Sequence, residues 1–507
     1  MKNNKKIYSL NSLVSKISRL KSQGNTIILC HGVFDLLHIG HIKYFEEAKS
    51  FGSILIVTVT PDRFVNKGSE RPIFSEKHRA DAIAALGCVD YVSINEWPTA
   101  IETIKLIEPD FYVKGPDYRD YKKDVTGNIK LEEDATMSCG GKMIYTSGIS
   151  FSSSSLINLR FSNLNEGQIA FVKKIKEKYT FNEISEYFEK LNKLKTLLVG
   201  EVIIDEYIFC DTIGKSGKEP VLVSKKGETE RYAGGILAAS NQVSDFCKEG
   251  KILSYLGDSQ DYNKFIEESL GANITFDFIN KSNSPTILKT RFIDKYTKSK
   301  TFGVYDMNDE LLNEDEDAKL CSKINNCIED YDLVIVVDYG HGLITPRVAN
   351  LLEKKSRYLA INTQLNSSNV GYHSISKYNS ADYVCIHEGE LRHDYRNRND
   401  TLEHLVRDLS KRTDSDSILI TRGNKGSVYF DNFDFTYCPA YATNVIDRVG
   451  AGDTLFAITA LCLKAQIPKD LTLLIGNLAA GEMVASIGTG MKLNKITLLK
   501  RLESLLK

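Results

Sequence analysis

Short apolar runs alternate with helical stripes through the first third of the chain. Thr26 to Cys30 reads as a buried strand, and Ile39, Ile42, Phe45 and Ala48 follow it at helical spacing. Ile54 to Thr60 is strand-like, Glu76 to Leu86 is helix-like with Gly87 as its stop, and Asp90 to Ile94 and Asp110 to Val113 are further short strands. This alternation predicts a parallel α/β sheet. Asn163 to Lys195 changes character. It is rich in Lys and Glu, with Ile169, Val172 and Ile175, then Ile184, Tyr187 and Leu191 at helical spacing. It reads as a helical connector or as part of a flanking domain. A second α/β pattern begins at Thr196, where Leu197 to Gly200, Leu333 to Asp338 and Ile418 to Thr421 are apolar runs typical of strands buried on both faces. Thr454 to Leu463 is apolar nearly all round, which predicts a buried helix. The expected organisation is a domain at 1–162, a connector at 163–195 and a domain at 196–507.

Composition agrees with more than one core, because 507 residues exceed what a single ordinary core holds. A formal net charge of −1 gives no general pull toward nucleic acid or membrane. No run of about 20 apolar residues is present, and the basic N-terminus is not followed by an apolar signal core. Ten cysteines are scattered without a CxxC pair, the usage of buried thiols in a reducing compartment. A cytoplasmic protein without nucleic-acid or membrane partners is expected.

Two stretches carry chemistry. Gly32–Val33–Phe34–Asp35–Leu36–Leu37–His38–Ile39–Gly40–His41 lies between a strand and a helix. Positions three apart share a helix face, and a helix N-terminus offers N–H groups and partial positive charge, so His38 and His41 form a cradle for phosphate. Val449–Gly450–Ala451–Gly452–Asp453–Thr454 precedes the buried helix. Its glycines let backbone approach a phosphate, the helix N-terminus points at it, and Asp453 is placed to take a proton from an attacking hydroxyl. Gly214–Lys215–Ser216 looks like the end of a P-loop but lacks the earlier glycine, since position 209 is Phe.

The first stretch resembles the HxGH signature of the nucleotidyltransferase superfamily that includes glycerol-3-phosphate and phosphoheptose nucleotidyltransferases. The resemblance continues through Lys67, Arg71–Pro72, Arg79, Lys114–Gly115–Pro116–Asp117–Tyr118 and Ser152–Ser153–Ser154–Ser155. It implies a Rossmann-like domain in which a substrate phosphate oxygen attacks the α-phosphorus of a nucleoside triphosphate and pyrophosphate leaves. His38 and His41 would be catalytic. Phe34, Gly40, Lys67, Arg79, Lys114, Ser152, Ser153 and Ser154 would bind nucleotide or phosphate, and Mg²⁺ would offset the triphosphate charge.

The second stretch resembles the GAGD motif of ribokinase-like sugar kinases. Companion pieces are Val199–Gly200–Glu201 with Asp205, Gly234–Gly235, Lys289–Thr290–Arg291, Asp338–Tyr339–Gly340–His341–Gly342 and Thr421–Arg422–Gly423 with Gly426. The resemblance implies a C-terminal ribokinase-like α/β domain with Asp453 as general base and Gly450, Ala451 and Gly452 as the anion hole. Thr421, Gly423 and Gly426 would lie along the nucleotide, and Asp205, Gly234, Gly235 and Arg291 would face the sugar. Glu390 is a weak metal candidate. Three segments depart from the pattern: His387 stands where an NxxE motif has Asn, Ala238 where heptose kinases carry Asn, and Asn362–Thr363–Gln364 where they carry Asp-Pro-Lys.

Together the two halves resemble the bifunctional heptose kinase/nucleotidyltransferases, in reversed domain order. The expected activity is phosphorylation of a sugar or sugar phosphate with ATP, followed by nucleotidyl transfer to the sugar phosphate from CTP or ATP. The alternative is an active nucleotidyltransferase joined to a catalytically weak sugar-binding module. A homodimer is expected from the ribokinase-like resemblance.

Overall fold

The computed structural model describes residues 6–65, 72–119, 127–147, 164–259, 261–442, 444–485, 488 and 492–506. The chain divides into two compact units, residues 1–163 with 496–507, and residues 164–495.

The first unit is a five-stranded parallel sheet in the order β3-β2-β1-β4-β5, formed by Ile27–Gly32 (β1), Ile54–Val59 (β2), Tyr91–Ile94 (β3), Phe111–Lys114 (β4) and Lys142–Tyr145 (β5). Successive side chains of β1 feed opposite cores. Ile28 and Cys30 pack with Phe45 and Ala48 of helix α2 (Ile39–Lys49) and Ile83 of α3 (Glu76–Ala84). Ile27 and Leu29 pack with Leu10, Leu13 and Ile17 of α1 (Leu10–Ser22) and Ile104 and Ile107 of α4 (Ile101–Ile107). A strand buried on both faces has no polar alternation, which is why the run is continuous in sequence. The strand order reverses between β1 and β4, and in such sheets ligands bind at the carboxyl ends of strands beside that switch.

The second unit has a nine-stranded sheet in the order β10-β9-β6-β13-β14-β15-β16-β17-β18. Its parallel members are Lys195–Gly200 (β6), Glu249–Gly257 (β9), Ile274–Lys281 (β10), Leu333–Asp338 (β13), Leu359–Thr363 (β14), Tyr383–His387 (β15) and Ile418–Thr421 (β16). Ser427–Phe430 (β17) and Phe435–Cys438 (β18) complete it antiparallel. A four-stranded sheet, β12-β11-β7-β8, is built from Val202–Lys215 (β7), Leu222–Gly234 (β8), Ile287–Asp294 (β11) and Lys300–Asp306 (β12). The P-loop-like Gly214–Lys215 lies at the end of β7, inside a hairpin, with no helix N-terminus to hold a phosphate.

Residues 164–192 are two helices of this second unit rather than a connector. Asn165 and Thr180 each start a helix with a capping box. Lys178 and Tyr179 both bond Asp470, at 2.6 and 2.9 Å, and Tyr441 Oη donates to Gln168 O at 3.2 Å. Residues 496–507, expected in the second domain, group with the first unit. Among the described residues no helix is long and apolar enough to cross a membrane.

Candidate active sites

The β1–α2 turn opens with Phe34 at φ +50°, a left-handed conformation that a non-glycine residue rarely adopts. The twist turns the Phe34 ring inward against Phe45 and edge-on to His41, with centroids 5.0 and 5.5 Å apart. Phe34 is therefore buried behind His41 and supports that imidazole. His38 caps α2: the Gly40 N–H donates to His38 Nδ1 at 3.1 Å. With Nδ1 accepting, the neutral ring carries its proton on Nε2, which makes Nε2 a donor. Burial holds the His38 pKa below its ordinary value, so the neutral form dominates at pH 7. The His38 and His41 rings stack at 4.0 Å, which brings the two sequence-predicted imidazoles to one place at the end of β1.

Arg79 differs from its expected role. Its side chain is wholly buried, and its guanidinium donates to Val33 O, to Thr60 O at 2.8 Å, to Phe74 O at 2.9 Å and to Asp62 Oδ1 at 2.6 Å. It braces the histidine turn from behind and has little left for a ligand, because three backbone carbonyls spend its fork of donors. Lys114, at the end of β4, is likewise buried in an ion pair with Glu132 at 3.0 Å, and Tyr112 Oη donates to the same carboxylate oxygen at 3.0 Å. Burial works to lower the Lys114 pKa, but the Glu132 carboxylate holds it above its ordinary value. His31 on β1 was not foreseen. It lies between Thr58 and Thr60 (2.9 and 3.2 Å), and burial, with the nearby Lys114 charge, pushes its pKa down to about 4. Only its position inside the apolar β1 run could have flagged it. Lys67, Arg71, Ser152, Ser153 and Ser154 lie outside the described residues.

In the second unit the carboxyl ends of β6, β13, β14, β15 and β16 form one rim. Gly450, at φ +80°, caps the 14-residue helix Ala451–Lys464, and Asp453 stands in its first turn. A Cβ added at Gly452 would meet no atom within 4 Å, so this face of the turn is open to a ligand. Asp453 is buried and held on both oxygens: Tyr339 Oη donates to Oδ2 at 3.1 Å and the Gln364 amide donates to Oδ1. Burial pushes its pKa up to about 6, the range of a base working near neutrality. Gln364 was read in sequence only as a departure. It follows β14 directly, and its partner became visible once β14 lay beside β13.

Asp205 on β7 receives the Arg291 guanidinium from β11, a pairing set by the register Lys289↔Asp205 and Arg291↔Tyr207. A side chain at Gly234 would overlap the Asp205 carboxylate, which is why this position needs glycine. Gly235, at φ +56°, then starts the helix Gly235–Ser244, whose Ala238 is buried. Asp205 and Arg291 are thus paired beside the Gly-Gly turn, and the charge of Asp205 is felt at Asp453.

The register His387↔Thr421 brings the His387–Glu388–Gly389–Glu390 segment beside the Thr421–Gly426 turn. Arg422 Nε bonds Glu388 at 2.8 Å, and at Gly426, φ +84°, a Cβ would collide with the Cys438 carbonyl. His387 caps its helix, and Glu390 accepts one backbone N–H on each oxygen, from Leu365 at 3.1 Å and His387 at 2.7 Å. Among the described residues no group of three His, Cys, Asp or Glu is arranged to hold a metal. Glu390 alone still suits a hard cation: burial pushes its pKa up to about 7, Asp453 adds to the push, and no cation among the described residues pairs with it.

Residues 29–160 match the cytidylyltransferase-like family model, and residues 193–496 match that of the pfkB family carbohydrate kinases. The "Bifunctional protein HldE" of Geotalea uraniireducens (strain Rf4) is 41% identical over 115 residues, 22% of this chain and 24% of that protein. The protein of the same name from Helicobacter pylori (strain ATCC 700392 / 26695) is 43% identical over 134 residues, 26% of this chain and 28% of its own length. Each match therefore spans only about a quarter of the relative. Phosphofructokinase-2 from Escherichia coli, solved in complex with substrates and products, aligns with 62% of this chain and 100% of its own at a TM-score of 0.51 and 13% identity, a likeness of fold. The chain belongs to the pfkB family of carbohydrate kinases and carries a cytidylyltransferase-like domain ahead of its kinase domain.

Proposed function

We propose that the chain is a bifunctional sugar-activating enzyme. The second unit phosphorylates a sugar or sugar phosphate with ATP, and the first transfers a nucleotidyl group from a nucleoside triphosphate to the sugar phosphate, releasing pyrophosphate. A heptose-like nucleotide sugar is the product class implied by the resemblance of the two halves to heptose kinase/nucleotidyltransferases. The observation that carries this reading is the presence, in one chain, of a paired-imidazole turn and of a buried aspartate at an open helix N-terminus.

In the kinase step Asp453 takes the proton of the acceptor hydroxyl as its oxygen attacks the γ-phosphorus and ADP leaves. The N–H groups at Gly450–Gly452 stabilise charge on the transferring phosphoryl oxygens. Mg²⁺, which both families generally use, would be held at the kinase site by Glu390 and would offset phosphate charge. In the transferase step the nucleophile is a phosphate oxygen that already carries negative charge. It needs no base, and His38 and His41 serve as donors to the α-phosphate oxygens.

The test is full-length protein incubated with ATP, CTP or GTP and a panel of sugars and sugar phosphates, with ADP and pyrophosphate measured separately. Asp453→Asn should strongly reduce sugar-dependent ADP formation, and His41→Ala should strongly reduce pyrophosphate release. Unchanged rates in both variants sink the reading. A second reading, an active transferase with a weak sugar-binding kinase fold, is favoured by one observation: Gln364 and Tyr339 occupy both oxygens of Asp453. Sugar-dependent ATP turnover that disappears in Asp453→Asn eliminates it.

A further inference from the structure

Lys289 on β11 is buried, and among the described residues no carboxylate lies within ion-pair distance of its ammonium. Its hydrogen-bond partner is neutral: Nζ donates to His341 Nε2 at 3.1 Å. His341 is itself wholly buried, and its Nδ1–H donates to Asp309 Oδ1 at 2.6 Å. That bond fixes the tautomer, leaving the Nε2 lone pair facing Lys289. Burial first, and the Lys289 charge second, hold the imidazole neutral.

The backbone that carries the imidazole is pinned. The His341 N–H donates to Glu201 Oε1 at 3.0 Å, and its carbonyl accepts from Tyr255 Oη at 3.0 Å. Gly340 and Gly342 flank it at φ +71° and +92°, and a side chain at Gly342 would run into the Glu310 carbonyl. An ammonium has three donors, and His341 takes one. The charge of Lys289 acts on Asp453 and Asp205, so the ammonium lies where the kinase site gathers its charges. Burying an ammonium without a carboxylate partner is costly. The Tyr305 and Tyr339 rings also neighbour the Lys289 ammonium, 5.6 and 5.9 Å from Nζ, and offer no conventional hydrogen-bond acceptor. A neutral anchor that leaves donors over is what an anion site requires.

We propose that His341 and Asp309 are a positioning pair that aims the Lys289 ammonium at a phosphate oxygen in the kinase site. This rests on the kinase reading above. The oxygen belongs either to the phosphoryl group in transfer or to a phosphate already carried by the acceptor. No proton moves: Lys289 stays an ammonium and His341 stays neutral.

The test uses the full-length chain and the variants Lys289→Met, His341→Leu, His341→Gln, Asp309→Asn and Asp453→Asn. With the panel above, His341→Leu should lower kcat/KM for ADP formation about 10²-fold, the scale for losing one charge-assisted contact to phosphate. His341→Gln, whose amide oxygen can accept from Lys289, should recover most of the loss, and Asp309→Asn should fall between. A fall in kcat for every acceptor assigns the oxygen to the transferring group. A rise in KM confined to phosphorylated acceptors assigns it to the acceptor. In ¹⁵N-histidine-labelled protein, His341 should report the neutral Nδ1–H tautomer, and inorganic phosphate should shift that signal in the wild type but not in Lys289→Met. A signal protonated on Nε2, a shift that survives in Lys289→Met, wild-type kinetics in His341→Leu, or a His341→Gln variant as impaired as His341→Leu overturns the proposal. Wild-type ADP formation in Asp453→Asn overturns the kinase reading instead.

Discussion

The two turns proposed to handle phosphate answer related problems with different parts. At the end of β1 the helix is capped by a side chain, His38, and the polar surface is two stacked imidazoles backed by Phe34. At Gly450 the helix has no side-chain cap, its N-terminus is bare, and a buried carboxylate stands one turn in. In the proposed reactions the difference follows the nucleophile. A phosphate oxygen arrives charged and asks only for donors, whereas a hydroxyl must lose a proton and asks for a base. Around the first turn the neighbouring charges, Arg79 and Lys114, are tied up in structural pairs. Around the second, Tyr339, Gln364, Asp205 and Lys289 all act on one carboxylate.

The sharpest way to break this contrast is to remove the base. Asp453→Asn should cut ADP formation by about 10³-fold, the scale of a lost general base, and leave pyrophosphate release unchanged when the transferase's sugar phosphate acceptor is supplied directly. His41→Ala should do the reverse, lowering pyrophosphate release by about 10²-fold with ADP formation intact. If either variant damaged both reactions, the two turns would not be independent sites.

Arg79 tests whether the charges of the first unit are structural. Arg79→Met should destabilise that unit by about 3 kcal/mol in urea unfolding, since it leaves buried carbonyls without a donor and Asp62 without its cation. Arg79→Lys should not restore it, because an ammonium cannot span carbonyls that a planar fork reaches. A folded, stable Arg79→Met with weakened nucleotide affinity would return Arg79 to the phosphate site.

The smallest effect is the most specific. Because burial lifts Asp453 to about 6, the base is protonated and inactive below that pH, so kinase kcat/KM should rise with pH through a midpoint near 6. Tyr339 and Gln364 donate to the charged form and lower this pKa. Removing either donor, in Tyr339→Phe or Gln364→Leu, should therefore move the midpoint upward, by up to about one unit. A midpoint that stays put would mean that these contacts do not bear on the base.

Much of the fold was legible because buried parallel strands leave an unbroken apolar run. Leu333–Asp338 and Ile418–Thr421 have the ends read from sequence. The β7–β8 hairpin was not legible: it is buried only through Cys210 and near Gly234, and most of β8 is exposed, so no single period marks it. The helices at 166–178 and 181–191 were visible as amphipathic stripes, but the partner of each stripe was not, since a stripe does not say which core it covers. In the sites, glycines and histidines were readable because few residues tolerate their positions. Arg79 and Lys114 looked like ligands because sequence carries residue type without direction.

The sequence by itself marked the two turns, since HxGH and GAGD are local: each sets its residues at a helix N-terminus, the first just after β1 and the second after the loop that follows β18. Only the tertiary structure decided which charges serve them. Asp453 meets Tyr339 and Gln364 across 114 and 89 residues, and Lys289 meets His341 across 52. Parallel strands with long crossovers bring such residues to one rim, and burial at that rim, which no local pattern records, sets their protonation.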